Sequence, residues 1–223
     1  MSADSPSQTA DYLTGLAPDR AGEPVTIGQI QTWYSQDSGI VHCSALRQVI
    51  KLMIDQNIRT EFDNDSYLDA LILSEIMLDR CTQTVRMLTG GCDKFLQTLE
   101  LSFLKAFDRL KTNPNGKIRI IVLSNAVPEF LKTAAEKFGP TLEIAAAEVK
   151  PGAQVEHFLV CDSMMARIEK PHQTISEETP VNAIQAKVSF NEPSRARFYE
   201  TRFDAIWDML KPKVKASTST VPA

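Results

Sequence analysis

Nothing in this sequence has the spacing of a metal-binding cysteine motif. Its 4 cysteines, Cys43, Cys81, Cys92 and Cys161, are scattered without a CxxC pair and lie within or beside apolar segments. That pattern suits reduced, mostly buried thiols in a cytoplasmic protein rather than a structural zinc site. Only 3 histidines are present, His42, His157 and His172. So widely spread, they define no metal triad, and neither a metal nor an organic cofactor is expected. No apolar run approaches the roughly 18 to 20 residues that span a bilayer, so no transmembrane insertion is expected. The opening MSADSPSQTADYLTGLAPDR lacks a basic stretch followed by an apolar one and is not read as a secretory signal. Positive charge is also short: 24 Lys and Arg against 28 Asp and Glu leave a formal net charge of −4. There is thus no global attraction to nucleic acid or to an anionic membrane, and only a local patch would bind either.

What is present is a core. Over 223 residues, 43% hydrophobic and 23% charged side chains describe a folded chain with one main domain. Residues 1–24 and the lysine-bearing 211–223, KPKVKASTSTVPA, are expected to be tails. CSALRQVIKLMIDQN and DSYLDALILSEIMLDRC carry apolar side chains at helical spacing and predict two amphipathic helices, the first within an N-terminal helical extension over 25–62. TVRMLTG predicts a strand, DKFLQTLELSFLKAFDRLK one long helix, KIRIIVLS a largely apolar strand, and VPEFLKTAAEKFG a helix stopped by Gly139. LEIAAAEV, VEHFLVCD and ARIE predict three further strands, with a bend at Asp162 and Ser163. IQAKVSF alternates as a half-exposed strand, and SRARFYETRFDAIWDML closes the fold as a helix. This succession predicts an α/β fold, a mixed β-sheet flanked by helices.

The stretch VEHFLVCDSMMARIE, residues 155–169, decides the functional reading. With the order of elements over 63–210, it resembles one half of a phospholipase D-like enzyme, whose signature is H-x-K-x4-D. Here V-E-H-F-L-V-C-D places Val155 where that family has its His, His157 where it has Lys, and Asp162 at its Asp. The continuation SMMARIE does not match the family's Gly and small polar residues. The resemblance implies that an active relative attacks phosphorus with the His, neutralises the phosphate with the Lys, and takes a second copy of the motif from another half. Valine does none of this, and His157, two residues along a strand, is displaced by roughly 6.5 Å from the nucleophile's position. Val155, His157, Leu159 and Cys161 are expected to share one face of the strand. That is a poor phosphate pocket, with His157 hydrogen-bonded to a neighbour such as Asp162.

Other candidates are weaker. LTGGCD sets glycines between a strand and a helix capped by Asp93, a structural turn rather than an anion site, with Cys92 unpaired by a nearby base. Arg195, Arg197 and Arg202 share their helix with Glu200, Asp204 and Asp208, and Glu192 stands just ahead of it, a balanced face.

The expected function is that of a non-catalytic, phospholipase D-like binding or regulatory module acting through a protein partner. The resemblance implies a homodimer packed near residues 155–162. His157, Asp162 and Arg167 are the candidate ligand-binding residues. Two alternatives are retained. One is a divergent phosphodiesterase or nuclease using His157 and Asp162 across a dimer. The other is a DNA-binding regulator working through the N-terminal helices; a nucleic acid or a phospholipid headgroup then replaces the protein as ligand.

Overall fold

A computed structural model describes residues 26–35, 44–90, 93–124, 127–150, 153–172 and 175–210. Both expected tails, His42, Cys43, Gly91 and Cys92 lie outside the described residues. The chain runs α1 Ile27–Ser35, α2 Ser44–Asp55, β1 Thr60–Asn64, α3 Tyr67–Arg80, β2 Thr84–Gly90, α4 Asp93–Thr98, α5 Glu100–Lys111 and β3 Lys117–Leu123. It continues with α6 Glu129–Phe138, β4 Leu142–Ala146, β5 His157–Cys161, β6 Met165–Glu169, β7 Ala186–Phe190 and α7 Pro193–Leu210. The seven strands form one mixed sheet in the order β1-β7-β6-β5-β2-β3-β4. β2, β3 and β4 run parallel, whereas every other pairing is antiparallel.

Side chains alternate between two cores. Val85, Met87, Ile118, Ile120, Leu159 and Cys161 face a large cluster shared with α3, α5 and α6, while Leu88, Ile121, Phe158 and Val160 face α7 through Ala196, Phe203 and Trp207. A parallel strand covered on both faces needs apolar residues on both, which is why the second half of KIRIIVL, Ile120–Leu123, is an apolar run. The α7 face also carries charge. Arg86 of β2 meets Glu200 at 2.6 Å and Asp204 at 3.1 Å, and Arg119 of β3 meets Glu143 at 2.9 Å and lies over the Trp207 ring. Arg195 and Arg202 pair with Glu61 and Glu156. The expected balance of charge along this helix is therefore present as ion pairs.

Four local expectations are corrected. α3 is buried on nearly every side rather than along one stripe, because α1, α2, α5 and the sheet surround it. Its start is fixed by Ser66, which accepts from the Asp69 amide at 3.1 Å. The long helix over DKFLQTLELSFLKAFDRLK is broken at Leu99 into α4 and α5. TEFDN, with little apolar content, forms the edge strand β1 against β7, from Thr60↔Phe190 to Asn64↔Ala186, so the sheet begins before residue 63. Finally, the regular part of the site strand starts at His157, not at Val155. Ile27, Ile30 and Ile50 of the N-terminal helices belong to the large core.

Candidate functional site

The functional geometry is set by a hairpin. Asp162 and Ser163 both adopt positive φ, 54° each, and turn β5 back into β6. Asp tolerates this conformation better than most residues do. Cys161 then pairs with Met165, and four residues further out His157 pairs with Glu169. The two ends of β5 consequently do different things.

At the turn end, Asp162 is fully engaged. Its carboxylate accepts from the Thr82 amide and hydroxyl at 2.5 and 2.9 Å, and from the Gln83 and Thr84 amides, each at 2.8 Å. These bonds hold the entry to β2 against the hairpin. The expected His157–Asp162 hydrogen bond is not formed: the residues lie at opposite ends of the strand, roughly 16 Å apart at 3.3 Å per residue. Asp162 thus acts as an acceptor that ties the hairpin to the start of β2.

At the other end, His157 meets Glu169 and His172. His157 Nδ1 lies 3.3 Å from Glu169 Oε1, and His172 Nε2 contacts the same oxygen. The two imidazoles stand edge to face, with centroids 5.1 Å apart. Glu169 Oε2 pairs with Arg167 Nη2 at 2.5 Å, and Arg167 Nε donates to Asn64 Oδ1 at 2.9 Å. Arg167 and Glu169 are only 4% and 7% exposed, so this is a buried ion pair held in place by hydrogen bonds. Burial alone would push the Glu169 carboxyl up. The Arg167 charge and the hydrogen bonds from His157 and His172 outweigh it and hold the carboxyl well below its ordinary range. Gly90, at the end of β2, makes room for His157: a Cβ there would stand 3.1 Å from His157 Cε1.

His157, Arg167, Glu169 and His172 line a small cavity of about 30 Å³, together with Ser74, Thr89 and Phe95. It lies at the carboxyl end of the parallel strand β2, the edge where open α/β sheets place their ligands. Of the three sequence candidates, His157 and Arg167 converge here and Asp162 does not. Val155 does not share the face of His157 either. It precedes the regular strand and packs with Phe158 and Val160 on the α7 side, so the face reads His157, Leu159, Cys161. Sequence reasoning missed Glu169 and His172. The donor atoms of His157, Glu169 and His172 all lie within 4.8 Å of one another, so two of the three histidines meet with a carboxylate. The register of the β5–β6 hairpin was the signal that could have found it. Of the four cysteines, Cys81 and Cys161 are free and buried, and burial, with Cys81 alongside, pushes the Cys161 thiol up and away from reactivity.

No protein-family model and no curated protein matches the chain. Solved structures similar to it include that of TrmBL2, an archaeal chromatin protein showing a novel mode of DNA binding. It has 16% identity and a TM-score of 0.51 over 81% of this chain and 66% of that one. Nuc from Salmonella typhimurium, a phospholipase D family member, is similar at 13% identity and a TM-score of 0.47, covering 67% of this chain and 95% of its own. NucT from Helicobacter pylori has 12% identity and a TM-score of 0.46 over the same shares. The likeness is one of fold alone: an α/β domain with a mixed sheet flanked by helices.

Proposed function

We propose that this chain is a phospholipase D-like binding module without phosphodiesterase activity, working as a homodimer with a protein partner. The observation that carries the reading is the replacement and displacement of the nucleophile's position: Val155 packs into the α7-side core and does not reach the cavity. Two features support it. The cavity, about 30 Å³, has room for one water-sized group, whereas small-molecule pockets run to roughly 300 Å³ or more. Its carboxylate, Glu169, would also repel a phosphate. A protein partner is favoured over nucleic acid because the exposed side of α2 presents Val49 and Leu52, while its Arg47 is drawn inward to Glu75 at 2.6 Å. Purified protein is expected to leave single-stranded DNA, RNA and a chromogenic phosphodiester unhydrolysed and to elute as a dimer in light-scattering chromatography. Metal-independent turnover that disappears in His157→Ala would establish the phosphodiesterase instead.

The likeness to TrmBL2, over 81% of this chain, supports a second reading, a DNA-binding regulator. It predicts duplex binding that weakens steeply with salt. Gel shifts that stay negative even at low salt remove it.

A further inference from the structure

We infer that His157, Glu169 and His172 form a binding site for a single divalent transition-metal ion of the zinc class. Two imidazole nitrogens and one carboxylate oxygen are a donor set such ions take. With metal–ligand bonds of about 2.0–2.2 Å, tetrahedral donors lie about 3.3–3.5 Å apart. His157 Nδ1 and Glu169 Oε1 already stand at 3.3 Å, and all three donors fall within 4.8 Å of one another. Glu169 has one oxygen for the ion, because Arg167 holds the other and is itself held by Asn64. That is how outer groups orient a ligating carboxylate.

A separate observation points into the same cavity. Ser74 is 1% exposed and lines this cavity, and its hydroxyl has no hydrogen-bond partner among the described residues. A buried hydroxyl without a partner is uncommon and costs free energy. Beside three convergent donors, it supplies a polar group for a fourth ligand such as a bound water or hydroxide. The guanidinium of Arg167 opposes a second cation nearby, so the ion is held less tightly than in a site of unbalanced carboxylates and favours an anionic fourth ligand.

This inference does not rest on the absence of phosphodiesterase activity. If the metal-loaded protein hydrolysed a phosphodiester, the binding-module reading would fail and the metal site would stand.

The test is titration of the full, chelator-treated chain with Zn²⁺ by calorimetry and with Co²⁺ by visible absorption. One ion per chain is expected, with a Co²⁺ spectrum of nitrogen and oxygen ligation lacking thiolate charge-transfer bands. His172→Ala should weaken binding by roughly 100-fold. Long-range imidazole NMR of the unaltered protein gives a check independent of any variant: Zn²⁺ must shift the His157 Nδ1 and His172 Nε2 resonances together, at one equivalent. No uptake, uptake with thiolate bands, or unmoved imidazole resonances overturns the inference and leaves a trio that shares only protons.

Discussion

The two ends of strand β5 differ in how their polar groups are satisfied. At Asp162 one carboxylate meets four donors from Thr82, Gln83 and Thr84. Nothing there is left for a ligand, and the group holds the β5–β6 turn to the start of β2. At His157 the carboxylate of Glu169 is shared among Arg167 and two imidazoles, and a cavity lined by the Ser74 hydroxyl, without a hydrogen-bond partner among the described residues, lies beside them. Five residues separate an Asp and a His that look in sequence like parts of one site. A saturated polar group is architecture; convergent groups next to space are a site.

Arg167 offers the harshest way to break the comparison. Arg167→Ala leaves Glu169 buried without its counter-charge, and a loss of about 3–5 kcal/mol is expected in equilibrium urea unfolding. The double variant Arg167→Met with Glu169→Gln should recover much of that loss, since neither residue then carries a buried charge. A recovery no better than the single variant would mean that the ion pair is not what holds this end together.

Asp162→Ala comes next. It removes charge-assisted hydrogen bonds at the turn and should cost about 2–3 kcal/mol, while leaving Zn²⁺ uptake at the far end of the strand unchanged. An equal loss of metal uptake would show that the two ends are coupled.

The smallest effect belongs to Glu143, at the Asp162 end of the sheet. Burial raises its carboxyl, but hydrogen bonds from Lys117 and Arg119 overcome this and hold it below the ordinary value. Because the folded-state pKa is depressed, its contribution is complete above the unfolded value near about 4.3 and is lost as pH falls through the lower folded value. The group is partly exposed, so Glu143→Gln should flatten the acid side of the stability curve by less than about 1 kcal/mol. A slope identical to that of the unaltered protein would remove Glu143 from the account.

Much of the fold was legible because it is written locally. KIRIIVL and TVRMLTG are rich in β-branched and other apolar residues, Gly139 ends its helix, and the Asp162–Ser163 pair marks the bend where the hairpin turns. TEFDN escaped notice because an edge strand needs few apolar residues. The face of Val155 was misread because strand alternation was extended past the point where the regular strand begins. Glu169 and His172 were missed for a different reason. Neither belongs to a motif, and their meeting with His157 depends on the pairing of β5 with β6 and on the path the chain takes afterwards.

The sequence by itself determined the α/β succession, since hydrophobic period and turn residues are properties of neighbours along the chain. Only the tertiary structure decided that Asp162 is a structural acceptor and that His157 joins Glu169 and His172. Those outcomes follow from strand register and burial, which bring together residues that no spacing in the sequence connects.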